Sequence, residues 1–139
     1  MEEFDKINID IRRHEEDRRN YEIDILNAKN RLEHLYNARA KQQQSQNAFH
    51  EMQERRKRQC QGVFGISAHM RFSNSHATRI MDILDGNKAR HTEQALNEGF
   101  QKVIMEIETE EQKIAMTRQL IINCDNTIDK LYYQRSQSL

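Results

Sequence analysis

Proline and tryptophan are absent from this sequence, and glycine occurs only four times in 139 residues. The chain therefore lacks most of the residues that end helices and form tight turns. Runs of alternating apolar and polar residues, which would predict strands, are also missing, and most of the residues present are good helix formers. These features predict an all-α fold in a single domain.

The sequence also lacks a long apolar run and an excess of either charge. No apolar stretch approaches the roughly 18 residues of a membrane-spanning helix. The acidic N-terminus "MEEFDKINID" has no apolar core of the kind found in a signal peptide. We expect a cytoplasmic protein, with export alongside a partner left open. Because 22 basic residues balance 22 acidic ones, the net charge argues against nucleic acid or an anionic membrane as the main partner.

Motifs that carry chemistry are missing as well. Cys60 and Cys124 are too few and too far apart to predict a disulfide framework or a zinc site. The six histidines have no metal-binding spacing, and the sequence has no nucleophile elbow, phosphate loop or dinucleotide fingerprint. We therefore expect no cofactor and no enzymatic activity. The basic quartet Arg55–Arg58 could contact phosphate, but in a neutral chain such a run is more typical of solvated helix surface.

Apolar residues recur at alternating steps of three and four in both halves of the chain. This is the heptad spacing of a helix that packs lengthwise against another helix. The predicted seam comprises Phe4, Ile7, Ile11, Tyr21, Ile25, Leu32 and Leu35 in the first half, and Phe100, Val103, Ile107, Ile114, Ile121, Ile128 and Leu131 in the second. Glu110 interrupts the second stripe, and we expect it to attract a lysine or arginine from across the seam.

The stretch "QCQGVFGISAHMRFSNSHA", Gln59 to Ala77, separates these halves and contains two glycines. We interpret it as the apex of a long antiparallel helical hairpin. The predicted elements are a helix at about 3–61, an apex at 62–75, and one or two helical segments at about 76–136. Gly62 is then expected to cap the first helix, and Asn74 or Ser75 to begin the second.

Two details of the hairpin stay open at this point. The triplet Asp85-Gly86-Asn87 is compatible with a helix end and with a glycine tolerated inside a helix. In an antiparallel pair, the numbers of facing residues have a constant sum, and sums of 135 and 142 both fit the seam spacing. We favour 135, because it places the polar residues Arg18 and Thr117 in one layer.

Further apolar residues lie off the seam, where a two-helix hairpin cannot bury them. We predict that they bind a partner, which is either a second copy in a four-helix bundle or a different helical protein. The set comprises Ile9, Ile23, Leu26, Ile104, Met105, Leu120 and Ile122 along the helices, and Phe64, Ile66, Met70 and Phe72 at the apex. The apex residues have a second interpretation, as a small plug that closes the end of the hairpin.

The order of long helix, short glycine-containing apex and long helix resembles small accessory proteins of bacterial type VII secretion. The likeness is greatest to the hairpin partners of LXG-family toxins, relatives of the Trp-x-Gly small secreted proteins. Phe64-Gly65 stands at the apex where those relatives carry Trp-x-Gly. Four positions after Tyr132 and Tyr133 the sequence has serine and glutamine, so the C-terminal Tyr- or Phe-x-x-x-acid export signal of those systems is missing.

This resemblance implies a targeting or chaperone-like protein that binds the N-terminal helical domain of a toxin, beside a sibling that carries the export signal. Three other classes fit the same hairpin. They are a homodimeric coiled-coil spacer of a regulatory or phage assembly, a stalk or escort protein of another secretion system, and a nucleic-acid-binding hairpin that uses Arg55–Arg58. A tight homodimer would favour the spacer, and salt-dependent DNA binding would favour the last class.

Overall fold

The computed structural model describes residues 2–66 and 71–138, without the side chains at 63–66 and 71–74. Three helices make up these ranges: α1 (Glu2–Ile66), α2 (Arg71–Asp85) and α3 (Asn87–Gln137). No strand occurs among the described residues, and α1 packs antiparallel against the other two helices. The predicted all-α helical hairpin is therefore confirmed.

The local sequence explains why the helices form and where they begin. Acidic Glu2, Glu3 and Asp5 occupy the first turn of α1, and basic Arg135 lies in the last turn of α3. Both placements oppose the partial charges at the ends of a helix and so stabilise it. The interiors of α1 and α3 contain no proline, and glycine is rare in them. Nothing in the interiors of α1 and α3 therefore breaks a helix.

Contacts between α-carbons divide the chain into two compact units. Unit 1 comprises Met1–Leu35 and Glu106–Leu139, and unit 2 comprises Tyr36–Met105. Unit 1 pairs the beginning of α1 with the end of α3. Unit 2 pairs the end of α1 with α2 and the beginning of α3.

The register of the hairpin differs from the one that we favoured. Polar contacts between the helices join residues whose numbers sum to between 137 and 147, centred on 142. Examples are Arg31 with Glu110 in unit 1 and Lys57 with Asp85 in unit 2. The favoured sum of 135 is therefore wrong. The two sums differ by one heptad, so the apolar stripes match in both, and the charged pairs select 142.

The predicted ends of the helices at the apex are also wrong. Gly62 does not cap α1, because the helix continues to Ile66. Asn74 and Ser75 do not begin the second helical segment, because α2 already begins at Arg71. The predicted apex at 62–75 was thus too long. Of the four apex residues predicted to bind a partner, Met70 lies outside the described residues, and so do the side chains of Phe64, Ile66 and Phe72.

The second helical segment is interrupted at Gly86, which separates α2 from α3. Of the two readings left open for Asp85-Gly86-Asn87, the structure therefore shows the helix end. Gln53 of α1 donates a hydrogen bond to the carbonyl of Leu84 at 2.8 Å, which satisfies one of the carbonyls left unpaired where α2 ends. A β-carbon built on Gly86 would collide with the backbone carbonyl oxygen of Asp82. Glycine is therefore required at this junction by close approach, although its φ is not positive.

Candidate protein-binding surface

The predicted seam residues lie between the helices and are covered. Six of them are buried, namely Ile7, Ile11, Leu32, Ile107, Ile114 and Ile128. The other eight are half-buried, namely Phe4, Tyr21, Ile25, Leu35, Phe100, Val103, Ile121 and Leu131. Since six of these side chains are buried and the others are partly covered, the seam offers a partner less apolar surface than the exposed residues do.

A charged layer interrupts the apolar seam of unit 1 at Glu110. This side chain is only 9% exposed, and a buried carboxylate is costly unless it is paired. Arg31 Nη2 lies 3.2 Å from Glu110 Oε2, and Lys113 Nζ lies 3.3 Å from Oε1. The expectation that Glu110 attracts a basic residue from across the seam is therefore confirmed by Arg31. The Arg31 contact lacks hydrogen-bond geometry, so it is an interaction between charges.

Removing the arginine of this pair is expected to lower stability, whereas replacing the buried carboxylate with an apolar side chain is expected to raise it. Arg31→Ala leaves Glu110 with Lys113 alone, and we expect it to lower the free energy of unfolding by about 1 kcal/mol, because the arginine is half exposed. Glu110→Leu replaces a buried carboxylate with an apolar side chain beside Leu32, and we expect a gain of about 1 kcal/mol. Urea denaturation followed by circular dichroism measures both values. A loss of stability in Glu110→Leu as large as that in Arg31→Ala would contradict this account.

A second charged layer of unit 1 surrounds Arg18. Its Nε lies 2.6 Å from Asp125 Oδ1, and its Nη1 lies 3.0 Å from Glu22 Oε1. Cys124 is buried beside this layer. Burial raises the pKa of the Cys124 thiol, the carboxylates of Asp17 and Asp125 raise it further, and Arg18 opposes them. Since a raised pKa disfavours the thiolate, Cys124 is a structural thiol and not a reactive one.

Near the free ends of the helices, unit 1 has a third polar cluster. Tyr132 donates a hydrogen bond from its hydroxyl to Glu15 Oε1 at 3.0 Å, and Arg135 donates to Asn8 Oδ1 at 3.1 Å. The Arg135 guanidinium also lies over the Tyr132 ring, 4.5 Å from its centre. The hydrogen bond to Glu15 raises the pKa of the Tyr132 phenol. This cluster joins the two ends of the chain without covering the apolar residues nearby.

Glutamines replace apolar residues in the seam of unit 2. Gln42 and Gln46 continue the steps of three and four beyond Leu35, although the apolar pattern fades there. Gln42 donates to the backbone carbonyl of Leu96 at 3.0 Å, and Gln46 donates to Asn97 Oδ1 at 2.8 Å. The absence of a side chain at Gly99 gives Gln42 the room for this approach. The predicted seam left out Gln42 and Gln46 because only apolar residues were assigned to it. Their spacing of three and four residues would have identified them as positions that face the other helix.

Most of the side chains predicted to bind a partner are exposed. Along the helices, the exposed fractions are 65% for Ile9, 55% for Ile23, 58% for Leu26, 66% for Met105, 43% for Leu120 and 50% for Ile122. Ile104 is half-buried, which makes it the one helical member of the set that is partly covered. Isolated exposed apolar residues are common on proteins, but this many large ones on two helices are not.

Three exposed residues that the sequence analysis did not select belong with this set. Met116 is 70% exposed, and Ile83 and Tyr133 are each 68% exposed. Met116 lies four residues before Leu120, so the two side chains are neighbours on the surface of α3. Ile23 and Leu26, three residues apart on α1, form a second such pair. The spacing of these pairs was present in the sequence, but Met116 had not been assigned to the predicted partner-binding set.

We name the exposed apolar residues of unit 1 the outer surface, which comprises Ile9, Ile23, Leu26, Met116, Leu120, Ile122 and Tyr133. The outer surface occupies more than one side of unit 1, because residues two positions apart, such as Leu120 and Ile122, project to different sides of a helix.

The basic quartet is divided between one internal ion pair and three exposed side chains. Lys57 Nζ lies 2.5 Å from Asp85 Oδ1, and this hydrogen bond raises the pKa of the lysine. The pair therefore stabilises the fold at neutral pH, and its contribution is lost as the pH rises through the raised pKa of Lys57. Arg55, Arg56 and Arg58 are exposed and remain available to a partner.

Within residues 2–66 and 71–138, no three side chains of histidine, cysteine, aspartate or glutamate come together in a way that could hold a metal ion. None of the helices, over its described length, contains a segment long and apolar enough to cross a bilayer.

Comparison with known proteins gives no assignment. The chain matches no protein-family model, no curated protein and no solved structure.

Proposed function

We propose that this protein is a non-enzymatic helical binding protein that acts as an export-targeting or chaperone-like partner of a type VII-secreted LXG toxin. The observation that carries the proposal is the outer surface, which stays exposed on a hairpin whose own seam is closed. The resemblance of the chain to the hairpin partners of LXG toxins supplies the class of partner.

The mechanism follows from the burial of apolar surface. An N-terminal toxin domain made of long amphipathic helices has apolar stripes that it cannot bury alone. Packing those stripes against Ile23, Leu26, Leu120 and their neighbours removes apolar area from water on both proteins, at about 25 cal/mol per Å². The resulting bundle keeps the toxin domain from aggregating before export. In this proposal, a second small helical protein in the complex provides the Tyr- or Phe-x-x-x-acid export signal.

Co-purification of this protein with the N-terminal domain of an LXG toxin encoded nearby tests the proposal. We expect a stable complex, and we expect Leu120→Asp with Ile122→Asp to weaken it at least about tenfold, because two anchoring side chains become charged. Gln112→Asp is the matched control, since it adds a charge at an exposed polar position of α3. Binding by the wild type that the double variant leaves unchanged would show that the outer surface is not the site. No binding by a folded wild-type chain would exclude the proposed partner.

A further inference from the structure

The neutral net charge of the chain conceals a strong division between its two units. Unit 1 contains sixteen acidic and eleven basic residues, which gives a net charge of −5. Unit 2 contains six acidic and eleven basic residues, which gives +5. The equal numbers of basic and acidic residues in the whole chain, 22 each, are therefore not found in either unit. A protein with two oppositely charged units is complementary in charge to a second copy of itself.

The sign of the charges selects one arrangement of two copies. If unit 1 met unit 1 and unit 2 met unit 2, charges of the same sign would face each other in both contacts, and such contacts are unfavourable. If unit 1 of each copy met unit 2 of the other, both contacts would join opposite charges. A two-fold axis generates this second arrangement, because the same pair of surfaces is then used twice.

Both units also present apolar side chains for such a contact. Unit 1 has the outer surface, and unit 2 has Ile83 at 68% and Met105 at 66% exposure, together with Met52 at 39%. In such a contact, the apolar side chains supply affinity and the charges supply orientation.

We propose that the chain self-associates as an antiparallel two-fold dimer, in which the acidic unit 1 of each copy packs against the basic unit 2 of the other. This inference concerns a second copy of the chain and does not rest on the toxin partner. It can be tested with the purified full chain alone.

Sedimentation equilibrium at about 0.05 M and about 1 M NaCl gives the first test, because this range shortens the reach of charge interactions several-fold. We expect a dimer at low salt and a dissociation constant that rises at least about tenfold at high salt. A chain that stays monomeric at low salt would overturn the proposal. A dimer whose affinity is unchanged or increased by salt would overturn the antiparallel arrangement, since pairing of like units is strengthened by screening.

Charge reversal gives the second test. The basic-unit variant carries glutamate at five exposed positions, Arg55, Arg56, Arg58, Arg79 and Lys88, which changes the charge of unit 2 from +5 to −5. The acidic-unit variant carries lysine at five exposed positions, Glu16, Asp24, Glu33, Glu106 and Glu108, which changes the charge of unit 1 from −5 to +5. We expect each variant to lose at least about tenfold in dimer affinity, and the chain with all ten changes to regain it.

The ten-change chain distinguishes charge pairing from damage to the fold. In that chain, unit 1 is basic and unit 2 is acidic, so the antiparallel contacts again join opposite charges. Helicity measured by circular dichroism identifies any variant that fails to fold. If a variant fails to fold, the salt dependence of the wild-type dimer is the test of the proposal. Dimerisation by every folded variant would overturn the proposal. A monomeric wild type that binds a DNA duplex in a salt-dependent manner would assign the basic unit to nucleic acid instead.

Discussion

Ile114→Asp is expected to abolish the cooperative folding of unit 1. The side chain is 7% exposed, and in the observed register it lies opposite Ala28, which is 3% exposed. Losing the burial of an isoleucine costs about 1.5–3 kcal/mol, and placing an unpaired carboxylate in the seam costs several kcal/mol more. The total approaches the whole stability of a small domain. Far-UV circular dichroism at 25 °C should show a large loss of helicity.

Ile122→Asp is the matched control, with the same substitution eight residues along the same helix. Since Ile122 is 50% exposed, we expect the free energy of unfolding to change by about 0.5 kcal/mol or less. Urea denaturation of both variants measures the difference. If Ile122→Asp unfolds the chain as severely as Ile114→Asp, the division between a closed seam and an outer surface is wrong.

Gly86→Ala is expected to have the second largest effect. The new methyl group would collide with the Asp82 carbonyl oxygen, and the backbone must move to relieve the collision. We expect a loss of about 2 kcal/mol or more, because the shift also disturbs the hydrogen bond from Gln53 to the Leu84 carbonyl. Hydrogen exchange should show faster exchange of the amides around the junction between α2 and α3, with unit 1 unchanged.

Gly62→Ala provides the opposite result at the other candidate helix end. Gly62 lies inside α1, and no atom comes within 4 Å of a β-carbon built there. Alanine is favoured over glycine inside a helix by about 1 kcal/mol, so we expect a gain of that size in the free energy of unfolding. A loss of stability would indicate that Gly62 ends the helix, as the sequence had suggested.

The sequence predicted the seam of the hairpin because burial repeats with the heptad. Ile7, Ile107 and Ile114 were identified from spacing alone, and all three are buried. The same regularity explains why the register was wrong. A shift of seven residues brings each seam position onto another seam position, so spacing alone does not separate sums of 135 and 142. The polar contacts between the helices, such as that of Arg31 with Glu110, distinguish them.

The glutamine seam and the helix ends were less predictable for a different reason. Gln42 and Gln46 are held in the seam by hydrogen bonds to groups more than 50 residues away along the chain. The local sequence around the two glutamines does not identify those partners. Glycine is common just after a helix and asparagine just before one, but such preferences amount to about 1 kcal/mol. At Gly62 and Asn74 they are outweighed by the continuation of the helix through these positions. The outer surface was predictable as a set of residues off the seam, whereas its partner was not.

Paired cysteines test the hairpin and its register most directly. In a chain without Cys60 and Cys124, Tyr21→Cys is combined with either Ile121→Cys, which faces it for a sum of 142, or Ile114→Cys, which faces it for 135. The two partners are about 10 Å apart along α3, and a disulfide tolerates only a few ångströms between α-carbons. We predict rapid formation of an intramolecular disulfide with Ile121→Cys and none with Ile114→Cys. Preferential closure of the Tyr21→Cys, Ile114→Cys pair, or disulfides only between chains, would contradict this account.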